Sequence, residues 1–276
     1  MDRRMLKESA KQSVLEARGP VKRVTLILVL SAAALMLAEW GLGTLAERSA
    51  SGSHYLSQTL SAQSRSYAAA MLISLVFQFL LVMLWAGYCT FSLRLSRGED
   101  FTPGVLLDGF RVWGRVVLLH LYTALLRALW AMAFSLPVSY VLTALFLAET
   151  ISEDQMLILL MAYAGLVMFI VSYRYRMAWR VMLDDPEKSI RQIVSEAKAI
   201  NMTHRGQLFL MDLSFVPWAL LCTLTCGVLL IWKLPYMVCT YGHAYRYMLE
   251  DYGVRQQRME QLLAEQRERF GENRFL

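Results

Sequence analysis

Six ionisable side chains interrupt the long apolar runs of this 276-residue chain. Ionisable groups are costly within a bilayer, where they mark ion pathways, proton relays or charge pairs. Depths counted at about 1.5 Å of helix rise per residue predict two polar layers among them. The outer layer contains Glu39, Arg127 and Lys233, and the inner layer contains His120, Asp212 and His243. A polar pathway for an ion or small solute and charge pairing between neighbouring helices both fit this pattern, and we favour pairing.

A second cluster of side chains that could bind a ligand follows the fourth apolar run. It contains Tyr173, Arg174, Tyr175, Arg176 and Arg180. Arginine offers forked donors to phosphate and tyrosine favours the membrane interface, so the cluster could hold an anionic phospholipid headgroup. An ordinary stop-transfer signal with an aromatic belt is the alternative, and we favour it.

The next passage predicts a helix start at Asp184-Asp185-Pro186, because aspartate suits the N-cap and proline the first helical position. Apolar residues then recur on one helical face over 186–200. They are Ile190, Ile193, Val194, Ala197 and Ile200. This amphipathic connector either lies on the membrane surface or docks against the bundle.

The sequence indicates no enzyme, cofactor or metal site. Cys222 and Cys226 are one helical turn apart, but no histidine or second cysteine pair stands at zinc-site spacing. The chain has no Walker loop, dinucleotide glycine pattern, H-E-x-x-H or G-x-S-x-G. Asp184 and Asp185 lack the paired base, nucleophile and pocket that catalysis requires. We therefore predict a protein without catalytic, cofactor-binding or metal-binding residues.

The elements that must position these residues are membrane helices. Hydrophobic residues make up 57% of the chain and charged residues 18%, against about 45–50% and about 25% in soluble domains. We predict an all-α polytopic transmembrane helical bundle of about six spans with amphipathic surface helices. The predicted spans are 24–46, 68–93, 114–136, 156–177, 207–224 and 228–248.

Three further boundaries complete this organisation. An amphipathic surface helix over 1–20, ended by Gly19-Pro20, precedes the membrane domain of 21–250, and a charged amphipathic tail covers 251–276. Pro137 predicts a kink or break in the third span. Residues 138–148 then either continue that helix or lie at the outer face.

Charge distribution predicts the orientation. With six spans, all but a few of the 28 Lys and Arg residues fall on one side, which places both termini in the cytoplasm. The basic residues flank apolar segments and form no single block. We therefore expect contact with anionic phospholipid headgroups and no nucleic-acid binding. Another membrane protein or a second copy of this chain is a further candidate partner.

Two passages resemble the motifs of a known family. Residues 173–186 are similar to a Y-x-Y-x-M-A … L-x-D-N-P passage, with Asp185 in place of the usual asparagine. Residues 213–237 are similar to an L-S-F-x-x-W-x-L-L-x-x-L-T-x-G … L-W-x-x-P-Y signature. Both passages are typical of bacterial multi-pass membrane proteins catalogued as domain of unknown function 975. The resemblance implies a helical protein of the bacterial cytoplasmic membrane, with no established activity, cofactor or catalytic residue.

The sequence thus favours an integral membrane protein that is not an enzyme and that acts by binding lipid or another protein. The alternative is a transport component, either a small permease or a membrane subunit of an exporter. Intramembrane charge and prolines within the spans suit that alternative.

Overall fold

The computed structural model describes the backbone of residues 3–50, 56–225 and 227–272, with side chains for 3–17, 19–45, 68–225 and 227–264. All regular secondary structure in that part of the chain is helical, which confirms the all-α class. The helices are α1 (Arg3–Glu16), α2 (Arg18–Ala50), α3 (Leu56–Arg97), a 3-10 helix (Pro103–Leu107), α4 (Asp108–Arg111), α5 (Trp113–Leu147), α6 (Glu153–Tyr175), α7 (Ala178–Asp184), α8 (Ile190–Met202), α9 (Arg205–Leu213), α10 (Val216–Leu224) and α11 (Leu230–Glu272).

Five helical segments of the described residues are long and apolar enough to cross a membrane. They are Gly19–Leu45, Ala68–Arg97, Trp113–Leu147, Glu153–Asp184 and Arg205–Leu224. Their surfaces expose large apolar side chains, for example Trp40 at 71%, Leu72 at 64% and Met161 at 75%. Apolar surface on this scale is unfavourable in water and suits contact with lipid. The protein is therefore embedded in a membrane.

All but the first two residues of the predicted sixth span, 228–248, lie within α11, which is not one of these five segments. α11 is continuous from Leu230 to Glu272, so no break separates that span from the predicted tail. The tail is helical to Glu272, and residues 273–276 lie outside the described part of the chain, as do Met1 and Asp2. The count of six spans stays a prediction.

Two predicted breaks at proline are absent. α2 runs through Gly19-Pro20, and the chain leaves the helical state one turn earlier, at Ala17. Proline is tolerated there because the first turn of a helix has no internal partner for its N–H. Of the kink or break predicted at Pro137, the break is absent because α5 continues to Leu147, and the kink stays a prediction. Residues 138–147 therefore extend the third predicted span as helix.

The predicted helix start at Asp184-Asp185-Pro186 is wrong. Asp185 is the C-cap of α7, and its carboxylate accepts from the backbone N–H of Glu187 at 3.4 Å. α8 begins at Ile190, after Ser189. The Ser189 side chain accepts from the backbone N–H of Gln192, and the Gln192 side chain accepts from the backbone N–H of Ser189. This capping box satisfies two backbone donors, whereas a single aspartate cap satisfies one.

The apolar face of α8 is buried. Ile193, Val194, Ala197 and Ile200 are each at most 2% exposed. α8 contacts α6 and α7. Of the two alternatives for the connector, docking against other helices is the one that the structure adopts.

The chain divides into two compact units. One comprises Lys7–Val117 with Phe215–Tyr241, and its core joins α1, α2, α3, the 3-10 helix and α11. Ala10 of α1 is fully buried in that core, so α1 does more than lie on a membrane surface. Within it the hydroxyls of Thr25 and Tyr88 are hydrogen-bonded at 3.0 Å.

Two glycines let α3 approach the segment that follows it. A Cβ added at Gly87 would lie 2.1 Å from the carbonyl oxygen of Leu106. A Cβ added at Gly109 would lie 2.2 Å from the carbonyl oxygen of Met83. Backbone therefore packs directly on backbone at both positions.

The other unit comprises the start of α1 up to Leu6, Leu118–Ser214 and the part of α11 from Gly242. It contains most of α5, all of α6 to α9, and most of the candidate site residues. The end of α6 and the inner face of α8 meet within this unit.

Candidate functional site

The carboxylate of Asp212 on α9 is held by two side chains from the end of α6. Arg176 contacts both of its oxygens, with Nη1 2.5 Å from Oδ2 and Nη2 2.8 Å from Oδ1. The Tyr173 hydroxyl donates to Oδ2. The arginine also lies over the Tyr173 ring, 5.1 Å from its centre. This forked pair neutralises charge that would otherwise be costly within the bundle.

The Asp212–Arg176 ion pair brings together residues that the sequence analysis assigned to two different groups. Asp212 was predicted in the inner polar layer, whereas Tyr173 and Arg176 were predicted to contact headgroups. Depth in the membrane could have indicated this pairing. Tyr173 and Arg176 lie near the end of the predicted span 156–177, and Asp212 lies near the start of the next span, 207–224, on the same side of the membrane. The Tyr173 hydroxyl and the Arg176 guanidinium are therefore already bonded to a carboxylate within the protein.

The structure does not bring Glu39 and Lys233 together. Lys22, near the start of α2, and Trp232 line the same cavity of about 260 Å³, and Lys233 lies over the ring of Trp218 at 3.5 Å. Glu39 stands seventeen positions beyond Lys22 on α2, a distance of about 25 Å along the helix axis. α11 thus begins beside the start of α2, and the predicted outer pairing of Glu39 with Lys233 is not formed.

The remaining polar-layer residues have local neighbours. The Arg127 side chain donates from Nε to the Thr123 carbonyl at 3.1 Å. No ion pair involves Arg127 or Glu39 within the described residues. The His120 ring lies 6.1 Å from the Trp179 ring. A meeting of His120 and His243 with Asp212 stays a prediction.

Two further cations form a cluster at the junction of α6 and α8, here called the α6–α8 cation site: Arg174 and Lys198. Asn201 anchors the junction, because its side-chain amide donates to the carbonyls of Tyr173 at 3.3 Å and Arg174 at 3.4 Å. Lys198, one turn earlier on α8, places its ammonium 5.5 Å from the centre of the Tyr175 ring.

The Arg174 side chain points toward α5. Its guanidinium carbon lies 5.4 Å from the centre of the Trp130 ring. Its Nε atom and the Tyr175 hydroxyl are buried without a hydrogen-bond partner among the residues that the structure describes. The site thus combines positive charge with unused donors, the combination that an anion satisfies.

Positive charge predominates at the α6–α8 cation site. Within the described part of the chain, neither Arg174 nor Lys198 forms an ion pair, and Glu196, close to Lys198 on α8, is bound by Lys188 at 2.9 Å. Burial lowers the pKa of Lys198, and the positive charge of Arg174 lowers it further. Like charges are therefore held close together here.

These contacts change the predicted set of headgroup residues. Arg180 is only 7% exposed and its guanidinium faces the Met177 sulfur at 3.9 Å, so it is turned into the protein. Arg174 and Tyr175 remain from the predicted cluster. The sequence missed Lys198, because only the docking of α8 on α6 brings it beside residues more than twenty positions earlier.

A separate polar group links α11 to the start of α9. His204 Nε2 lies 3.2 Å from Asp251 Oδ2, and its Nδ1 lies 3.1 Å from Gln207 Oε1. Arg255 Nε contacts the same Asp251 oxygen at 3.0 Å. These contacts link the two helices, and Arg255 Nη2 is buried without a hydrogen-bond partner among the described residues. In the portion of the chain with described side chains, no three His, Cys, Asp or Glu residues could hold a metal ion together.

Comparison with known protein families gives a match over most of the chain. A family model with the description "Protein of unknown function (DUF975)" matches residues 1–251. No curated protein and no solved structure matches the chain. No matching structure therefore indicates a ligand for this site.

Proposed function

Since the chain belongs to the DUF975 family of proteins of unknown function, its membership brings no activity, and we propose one from its own geometry. The protein is a non-enzymatic component of the membrane that binds the headgroups of anionic phospholipids. The observation that carries the proposal is the α6–α8 cation site, where Arg174 and Lys198 lie together with no carboxylate paired to either within the described residues. Cations partly withdrawn from water are costly unless an anion joins them.

The position of the site suits a headgroup. Arg174 lies in the last turn of α6, where basic residues commonly mark the end of a membrane helix, and its guanidinium reaches the Trp130 ring of α5. We place this end on the cytoplasmic side of a bacterial cytoplasmic membrane, with both termini on the same side. The inner leaflet there carries the negative surface that attracts basic residues.

The internal pairing of Asp212 favours binding over the alternative of a transport component. A carboxylate already neutralised by Arg176 and Tyr173 is less suited to exchange an ion or proton along a pathway. A permease or exporter subunit would need water to reach Asp212. Another membrane protein or a second copy of this chain stays a further candidate partner.

The test compares lipid binding by matched variants. Detergent-purified protein is titrated with phosphatidylglycerol or phosphatidylcholine, and binding is followed by native mass spectrometry and by the rise in melting temperature that a ligand of the native state produces. Each charge-assisted contact contributes about 1.5–3 kcal/mol, so Arg174→Gln and Lys198→Gln should each weaken phosphatidylglycerol binding by about tenfold or more. Phosphatidylcholine binding should not change.

Arg191→Gln is the control, because Arg191 is an exposed cation on the same helix, α8. It should retain wild-type binding. If the Arg174→Gln/Lys198→Gln double variant binds phosphatidylglycerol as the wild type does, the proposed function is wrong.

A further inference from the structure

One face of α5 is turned toward α6. Tyr163 of α6 donates its hydroxyl to the Phe134 carbonyl at 3.2 Å, and Arg174 lies over Trp130. Arg127 precedes Trp130 by three positions and Phe134 by seven, so all three occupy the same side of the helix. Arg127 therefore borders the cleft that contains the α6–α8 cation site.

The Arg127 side chain is already oriented. Its Nε donates to the Thr123 carbonyl, and its Nη2 lies 3.5 Å from the Thr123 hydroxyl. Arg127 precedes Trp130 by about one helical turn on the same side of α5, and Arg174 lies over the Trp130 ring. Arg127 thus lies one turn from the ring that Arg174 covers, and Lys198 lies close enough to Arg174 for the positive charge of Arg174 to lower the pKa of Lys198.

This concentration of positive charge lies partly within a membrane-spanning segment. Among the residues that the structure describes, no carboxylate forms an ion pair with any of the three cations. Trp130 is 37% exposed and the neighbouring Leu129 is 54% exposed, so the cleft opens on the lipid-facing surface of α5. A ligand can reach it sideways from the bilayer with its hydrocarbon chains still in lipid.

We propose that Arg127 completes the α6–α8 cation site and that its ligand is a lipid phosphomonoester, of the phosphatidic acid type. The inference rests on the proposed function and names the lipid class. A phosphomonoester carries a charge of about −1.5 to −2 near neutral pH, whereas a phosphodiester carries one negative charge. Three cations in a medium of low dielectric match the doubly charged group better.

The size of the headgroup argues in the same direction. Arg127 lies well inside Trp113–Leu147, so a phosphate that reaches it sits below the usual headgroup level. A phosphate without a further polar substituent brings no additional hydroxyl group to that depth, and its extra negative charge is offset by the cations of the site.

The experiment compares phosphatidic acid with phosphatidylglycerol of the same acyl chains in the titration described above. The wild type should bind phosphatidic acid about tenfold more tightly at pH 7.5, the effect of about one additional charge-assisted contact. The preference should shrink toward pH 5, because the second ionisation of a phosphomonoester has a pKa of about 6. Arg127→Gln should lower phosphatidic acid binding to the phosphatidylglycerol level, and Arg191→Gln should leave the preference intact.

The outcomes separate this inference from the proposed function. Equal binding of the two lipids by the wild type at pH 7.5, a measurement that needs no variant, overturns the inference. A preference that persists in folded Arg127→Gln also overturns it. In either case, loss of phosphatidylglycerol binding in the Arg174→Gln/Lys198→Gln double variant still supports the proposed function. If inorganic phosphate at millimolar concentration displaces phosphatidic acid and stabilises the protein equally well, the ligand is free phosphate and the lipid assignment is wrong.

Discussion

Replacement of Gly87 by alanine should destabilise the protein strongly, although the change adds one methyl group to a helix. The added Cβ would lie 2.1 Å from the Leu106 carbonyl oxygen, whereas ordinary van der Waals contact begins at 3.4 Å. The obstacle is backbone in the 3-10 helix, which cannot rotate away as a flexible side chain does. α3 and the 3-10 helix must therefore separate by about 1.3 Å, the difference between these two distances.

The magnitude follows from the cost of overpacking. Insertion of a methyl group into a well-packed core typically costs about 1–3 kcal/mol, and a fixed backbone obstacle places Gly87→Ala near the upper end. A loss of about 3 kcal/mol corresponds to a melting temperature lower by about 6–12 °C for a chain of this size. The same argument applies to Gly109, where the Met83 carbonyl is 2.2 Å from the added Cβ.

The assay is thermal unfolding of the detergent-purified protein, followed by circular dichroism and by the loss of the monodisperse chromatographic peak after heating. Gly165→Ala is the matched control, since Gly165 lies within helix α6 and an added Cβ meets nothing within 4 Å. That variant should be neutral or more stable by about 0.5–1 kcal/mol, because alanine loses less conformational entropy in a helix. Equal melting temperatures for Gly87→Ala and Gly165→Ala would refute the close backbone packing on which the argument depends.

Three further predictions concern the unit that contains the site. Asp212→Asn should cost about 2 kcal/mol, because it removes the carboxylate from Arg176 in a partly buried pair, and an unchanged melting temperature would contradict that pairing. Ser189→Ala should cost about 1 kcal/mol and accelerate hydrogen exchange at the Gln192 amide, whose capping acceptor is lost; unchanged exchange would argue against the cap. The pKa of Lys198 is lowered in the folded state, so its burial penalty applies in full at low pH and disappears as pH rises through the folded pKa toward 10.5. Wild-type stability should therefore rise over this window more than that of Lys198→Gln, and parallel pH profiles would contradict the lowered pKa.

The sequence predicts the buried face of α8 but not the residue at which this helix begins. The apolar face of α8 could be assigned from periodicity alone, because Ile193, Val194, Ala197 and Ile200 recur at helical spacing and all are buried. The start of the same helix could not, because two competing caps lie within five residues. Asp185 is an acceptable cap in isolation, but the reciprocal bonds of Ser189 and Gln192 satisfy more donors.

The pairing of charged residues was harder to predict from the sequence than the apolar face of α8. Depth along each span could be counted for Asp212 and Glu39, but depth does not say which helices are neighbours. Asp212 is paired with Arg176, which had been assigned to the headgroups. Lys233 lies near the start of α2 because α11 begins there, and counting inward from an assumed outer turn placed it at the wrong level.

Local properties of the chain settled the class of the protein. Apolar runs of sufficient length require helices and a bilayer, since a backbone in hydrocarbon must satisfy its own hydrogen bonds. The motifs of residues 173–186 and 213–237 indicated the family that the match over 1–251 establishes. Contacts between distant residues had to come from the fold: Gly87 against Leu106, Asp212 with Arg176, and Lys198 beside Arg174. Such contacts depend on how helices dock, and docking is decided by the shape and charge of both surfaces together, which no single segment contains.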